Sequence, residues 1–240
     1  MWTCGDAMPR YKVVNGVKVA VDASVKIYVN GRLAAELVTN PEDLEDLAIG
    51  YLHSEGYINA LDDVVEVKVD GDAIYAKLKR DVPVLGRRLE DCGVGTLVKS
   101  LAGKSLVSPE MMIELAREFS KLTTWQVDPH LAMHTSALYL DGEWLAVHDT
   151  SRHSGVVKLV GKYLRRRPAR LKLAYTTGRA SSDMIYRLAS IGVDGVLSLR
   201  GPLYSGVEAA CRLGIPLVAN VRNRGFTVLC DGHDIRKILE

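Results

Sequence analysis

The stretch from Leu171 to Arg200 reads LKLAYTTGRASSDMIYRLASIGVDGVLSLR. Leu171–Tyr175 is a short apolar run of strand type, Ser182–Ile191 reads as a helix, and Gly195–Leu199 is a second strand. The rhythm continues with a helix at Gly206–Leu213 and a strand at Leu217–Asn220. Strands alternating with helices predict an α/β architecture, a largely parallel sheet covered by helices. Upstream, Ala137–Leu140 and Trp144–His148 form a hairpin pattern around Asp141-Gly142, followed by a helix over Val156–Leu164. Ser108-Pro109-Glu110 caps another helix, whose apolar stripe is Met112, Leu115, Ala116 and Phe119.

The first half has an α+β pattern. Val17–Val21 and Val25–Val29 read as strands with Asp22-Ala23-Ser24 as a turn, and Asn30-Gly31 is a hairpin signal leading into Leu33–Val38. Asn40 is read as a helix N-cap, with Pro41 at the first helical position and Glu42 and Asp43 at the positive end. Leu44, Leu47, Ala48, Tyr51 and Leu52 form the buried stripe, and Gly56 ends the helix. Val64–Val69 and Ala73–Leu78 pair around Asp70-Gly71-Asp72. Pro83 to Gly103 has no clear period and reads as a long loop, of the kind that often carries function. The division predicted is a small α+β domain over 1–104, ending in the Cys92 loop, and a larger domain over 105–240.

Composition narrows the classes. A net charge of +2 in 240 residues gives no electrostatic footprint for nucleic acid. No apolar run approaches the roughly 18 residues of a membrane span. Met1 to Arg10 lacks the apolar core of a secretory signal. The four cysteines, Cys4, Cys92, Cys211 and Cys230, form no CxxC pair, against a zinc ribbon or disulfide scaffold. A reducing cytoplasm is the compartment this suggests. Cys211 and Cys230 stand in apolar contexts and read as core. Arg165, Arg166 and Arg167 read as a solvated helix end.

Three junctions follow strands of the predicted sheet: Thr176–Ser182, Arg200–Ser205 and Asn220–Gly225. Each combines glycine, arginine and small polar side chains. Such loops can approach an anion with backbone N–H groups while arginine grips it as a fork. Taken singly they are also what ordinary loops look like; three on one edge favour a large polyanion. His130 and His134 stand four apart, a spacing that on a helix could present two imidazoles to a metal. Leu131 occupies the place of a metalloprotease glutamate, and no deaminase Pro-Cys-x-x-Cys occurs. Asp149, Arg152 and His153 form a polar cluster at a helix start, suited either to orienting a ligand or to structural hydrogen bonding. Cys92 lies between acidic Glu90 and Asp91 and near Arg87 and Arg88, so its thiol pKa could move either way. A reactive thiol and an incidental loop cysteine are both open on these grounds.

Four segments, taken together, resemble the FdhD family of formate dehydrogenase accessory sulfurtransferases. They are Glu36 through Gly56; Met133-His134-Thr135-Ser136-Ala137; His148-Asp149-Thr150-Ser151-Arg152-His153-Ser154 with Lys158; and Thr177-Gly178-Arg179-Ala180-Ser181 with Met184. The resemblance implies a cytidine-deaminase-like larger domain without the deaminase zinc site. It implies that Cys92, matching the first cysteine of the family's Cys-Gly-x-Cys-Gly motif, accepts persulfide sulfur from a cysteine desulfurase. It implies delivery of that sulfur to molybdenum bis(molybdopterin guanine dinucleotide), with formate dehydrogenase or a related molybdenum or tungsten enzyme as recipient. The cofactor contacts would fall on His134, Asp149, Arg152, His153, Thr177, Gly178, Arg179, Ser181 and on Asn220, Val221, Arg222, Asn223, Arg224, Gly225. A homodimer is also implied. The chain departs from the family at Gly95, where the second motif cysteine stands, at Ser151 and Ser154, and in the order Arg224-Gly225. Without a cysteine at 95, transfer would draw on an external reductant or a distant cysteine. Two competing readings are a chaperone that holds the cofactor without moving sulfur, and a metal hydrolase or deaminase using the histidines.

Overall fold

The computed structural model describes residues 9–83, 87–88, 107–166, 168–222 and 225–231. Cys4, Cys92, Asn223 and Arg224 lie outside the described residues, as does most of the predicted 83–103 loop.

Two strands open the chain, β1 (Tyr11–Val14) and β2 (Val17–Ala20), forming a separate antiparallel ribbon. They turn at Asn15-Gly16, both at positive φ, the geometry of a tight hairpin turn. The expected turn at Asp22-Ala23-Ser24 is therefore corrected: Ala23 and Ser24 already belong to β3 (Ala23–Val29). β3 pairs through Asn30-Gly31 with β4 (Arg32–Thr39).

Helix α1 (Leu44–Ser54) starts later than the cap signal suggests. Asp43, in left-handed conformation, occupies the cap position without a side-chain bond. Asn40 cannot cap because its amide is used elsewhere. Its Nδ2 donates to the carbonyls of Arg10 and Val21 at 2.9 and 2.7 Å, and its Oδ1 accepts from the Arg10 N–H at 3.0 Å. Asn40 thus ties the N-terminal ribbon to the body. The predicted stripe of α1 is buried throughout. Strands β5 (Val64–Asp70) and β6 (Ala73–Leu78) complete the first sheet with β7 (Arg87–Arg88), in the order β5-β6-β3-β4-β7. Arg87 and Arg88 pair with Ala35 and Glu36 rather than forming loop.

The second sheet follows. Helix α2 (Pro109–Leu122) is capped by Ser108 as the sequence predicts, and a single turn, α3 (Thr124–Val127), follows it. Strands β8 (His134–Leu140) and β9 (Glu143–Asp149), helix α4 (Arg152–Leu164), strand β10 (Lys172–Thr176) and helix α5 (Ser182–Ala189) come next. Strand β11 (Gly195–Ser198), helix α6 (Tyr204–Leu213), strand β12 (Leu217–Arg222) and strand β13 (Gly225–Cys230) complete the described chain. The order is β13-β12-β11-β10-β8-β9. Only β10-β11-β12 run parallel. The largely parallel expectation is corrected to a mixed sheet, because hairpins close both flanks.

Side chains alternate across this sheet, as strand geometry requires. Leu138, Ala174, Val196 and Leu217 pack under α4, α5 and α6. Ala137, Leu173, Tyr175, Leu197 and Val218 pack against α2.

The two sheets meet through α1 and α4. A Cβ on Gly50 would lie 1.8 Å from the Val157 carbonyl oxygen, and one on Gly161 would lie 1.9 Å from that of Asp46. Only glycine permits backbones this close. Arg165 then pairs with Asp46 at 2.9 Å, so the end of α4 is tied to α1 rather than simply solvated.

Candidate functional site

One edge of the six-stranded sheet collects most of the residues singled out in the sequence. β10 and β11 end there, and the antiparallel hairpin brings His134, first residue of β8, opposite Asp149, last of β9. α4 and α5 both start at this edge. β12 runs parallel to β11 toward it, so Asn220 and Arg222 close the strand on the same side. The third junction, however, leads into β13 and not into a helix; Arg222 pairs with Gly225.

Behind the edge lies a buried polar node. Asp149 is fully buried and pairs with the equally buried Lys158 at 2.7 Å. Its carboxylate also accepts from the Thr39 hydroxyl at 2.6 Å, the Asn40 N–H at 3.3 Å and the Ser151 N–H at 2.8 Å. Lys158 donates further to the Asn40 carbonyl at 2.7 Å. A buried charge is tolerated only when so satisfied. Asp149 therefore faces inward, binding the two sheets together and setting the first turn of α4.

On the outer side, Gly178 and Arg152 pack together. A Cβ on Gly178 would sit 2.9 Å from the Arg152 Cβ. Arg179 is exposed beside them. The loop is held by Thr177, whose N–H donates to the Thr135 carbonyl at 2.9 Å and whose hydroxyl accepts from the Thr135 N–H at 2.9 Å. Ser198 Oγ donates to the Gly178 carbonyl at 2.7 Å. Ser181, the residue before α5, makes no capping bond. Its hydroxyl is buried, and among the described residues nothing hydrogen-bonds to it; the same holds for the Thr150 hydroxyl. Such unsatisfied groups next to a helix N-terminus suit an incoming anion.

The histidines here are held neutral. Burial lowers the pKa of His134, and the positive charge of Arg152 lowers it further. His153 is lowered by burial, then by Arg152, against the pull of Asp183. His148 is pushed down to about 4 by burial and bonds to the Thr135 hydroxyl at 3.0 Å. His130 is exposed in a turn and His134 begins a strand, so the pair does not share a helical face. Among the described residues no three metal-ligating side chains gather. Cys211 and Cys230 are buried as read, and burial raises the Cys211 thiol to about 12, so it is protonated at neutral pH.

One residue of this edge, Trp125, escaped the sequence reading, while Arg200 belongs to the second junction read there. Trp125 of α3 is 40% exposed, and the Arg200 guanidinium lies 5.9 Å from its ring centre. α3 is one turn long, so no periodicity marks it.

Fold and edge together define an α/β protein whose six-stranded sheet carries arginines and histidines along one edge. The FdhD/NarQ family matches residues 20–236, and the chain belongs to that family. It is 26% identical over 224 residues to the sulfur carrier protein FdhD of Methanothermobacter thermautotrophicus, covering 88% of each chain. It is 29% identical over 232 residues to that of Bacillus licheniformis, covering 88% and 87%. With that of Staphylococcus aureus the identity is 30% over 229 residues, covering 84% and 83%. A crystal structure described as a formate dehydrogenase accessory protein from Desulfotalea psychrophila superposes with a TM-score of 0.71 at 23% identity, covering 93% of this chain and 95% of that one. At that identity the likeness concerns the fold. No helix among the described residues is long and apolar enough to cross a membrane.

Proposed function

We propose that the chain is a cytoplasmic sulfur carrier that moves sulfur on Cys92 to the molybdenum bis(molybdopterin guanine dinucleotide) of a formate dehydrogenase. The names of the relatives support the carrier role. The observation that carries the cargo reading is the edge itself: Arg152 and Arg179 beside a buried Ser181 hydroxyl that no described group satisfies. A pyrophosphate presents the acceptor oxygens such a set needs.

In this reading Thr177, Gly178, Arg179 and Ser181 hold one pyrophosphate with Arg152. Neutral His134 and His153 hydrogen-bond without adding charge. The segment Asn220 to Gly225 contributes further contacts to the cofactor, and Asp149 acts from behind by positioning α4. The larger unit, 105–240, corresponds to a cytidine-deaminase-like domain, and 1–104 to the smaller one that delivers Cys92. Arg88, on β7, is the last described residue before Cys92.

Sulfur moves by exchange. The Cys92 thiolate attacks the terminal sulfur of a persulfide on a cysteine desulfurase. One S–S bond breaks, one forms on Cys92, and the donor leaves as thiolate, with no net oxidation. Release as sulfide consumes two electrons. With Gly95 in place of a second cysteine, two equivalents of a low-molecular-weight thiol supply them and are left as one disulfide.

Gly95 favours a second reading, a chaperone that holds the cofactor and transfers nothing. Complementation separates them. In cells lacking their own carrier, the chain restores formate dehydrogenase activity and Cys92→Ala does not. Full activity with Cys92→Ala would select the chaperone.

A further inference from the structure

Cys211 and Cys230 reach one another from different elements. Cys211 lies in the last turn of α6, and Cys230 ends β13, an edge strand of the six-stranded sheet. Both are buried in the same apolar cluster. The Cys211 thiol donates to the Leu229 carbonyl at 3.8 Å, the backbone oxygen directly before Cys230. The two thiols are also hydrogen-bonded to each other. Thiols already in contact need little movement to reach the roughly 2 Å of a disulfide. The strand that carries Cys230 is otherwise weakly held. Gly225 through Val228 are exposed, Leu229 is half-buried, and Cys230 is the one fully buried residue of β13. Its ladder to β12 shifts register twice. An edge strand with such irregularities and a single buried anchor opens locally more easily than the strands inside the sheet.

We propose that Cys211 and Cys230 form a redox site that closes to a disulfide and, when closed, pins the β12–β13 hairpin to α6. The oxidant is a low-molecular-weight disulfide. As β13 lifts, one cysteine thiolate attacks that disulfide, its S–S bond breaks, and one small thiol leaves. The second cysteine then attacks the mixed disulfide and displaces the other small thiol. The two cysteine protons end on the two small thiols. The cysteine sulfurs lose two electrons and the small disulfide gains them. Once β13 settles back, the new bond is enclosed in the core and shielded from reductants, whereas the reduced pair leaves the strand free to open. The proposal does not depend on the sulfur-carrier reading, since it involves neither Cys92 nor the arginine-bearing edge.

The test uses the full chain with Cys4→Ala and Cys92→Ala, which leaves Cys211 and Cys230 as its cysteines. It is equilibrated with oxidised glutathione, alkylated, digested without reduction and mapped by mass spectrometry. A peptide joining positions 211 and 230 should appear and vanish after dithiothreitol. The oxidised form should melt roughly 5 °C or more above the reduced form, as a bond closing a loop of this length predicts. Amide hydrogens of β13 should exchange more slowly in the oxidised form. In Cys230→Ala on the same background, dithiothreitol should leave the melting temperature unchanged. Recovery of both cysteines alkylated or joined to glutathione, with no linked peptide, overturns the site. A linked peptide without a rise in melting temperature or a slowing of β13 exchange overturns the pinning.

Discussion

At the scale of single residues, the strings that resemble the family divide into two jobs. Thr39, Asn40, Asp149 and Lys158, drawn from separate segments, meet in one buried polar node. Asp149 looked like a ligand contact in the sequence, because buried and binding carboxylates carry the same letter. Only the fold shows Asp149 fully enclosed. Gly178, Arg152 and Ser181 stood out in the sequence because glycine, arginine and serine before a helix have a local meaning, and the fold gathers them on one edge. His148 shows what burial costs. Its imidazole titrates near 4 when folded and near 6.5 when unfolded. Between those values the unfolded chain holds the extra proton, so stability is intact above pH 6.5 and falls as pH drops toward 4, by at most about 3 kcal/mol. His134 and His153, also lowered, push the same way. Urea unfolding from pH 7 to 4.5 should therefore show a shallower loss in His148→Gln than in the unaltered protein. Parallel curves would refute the assignment.

At the scale of elements, local turn chemistry read well and long-range partners did not. Asn30-Gly31 sits at positive φ at both residues, as its hairpin requires. Asn15-Gly16 is the same signal and makes the ribbon that the sequence reading missed, having paired β2 with β3 instead. Asn40 resembles an N-cap by every local rule, yet its partners lie at Arg10 and Val21, out of reach of any local pattern. The α1–α4 crossing is equally silent, since Gly50 and Gly161 look like mere weak points in helices. Packing makes them obligatory. Gly161→Ala forces a methyl into the Asp46 carbonyl, a backbone atom that cannot swing aside. We expect a loss of about 3 kcal/mol in urea unfolding. A change within about 0.5 kcal/mol, the range of an ordinary surface substitution, would show that the helices can part freely.

At the scale of the whole molecule, the two large sheets are locked by the α1–α4 pair, by the buried Asp149–Lys158 node and by the ion pair of Arg187 with Glu55 at 2.7 Å. That lock fixes the arginine-bearing edge of the second sheet relative to the first sheet, from whose last strand the chain leads to Cys92. Cys211 is protonated and enclosed, which leaves it poorly suited to accept sulfur. In the function proposed above, the travelling sulfur sits on Cys92. Intact-mass spectrometry after incubation with a cysteine desulfurase and cysteine tests this most directly. The account predicts the gain of a single sulfur atom, kept when Cys4, Cys211 and Cys230 are replaced and lost in Cys92→Ala. A chain that gains no sulfur, or gains as much in Cys92→Ala, would contradict it.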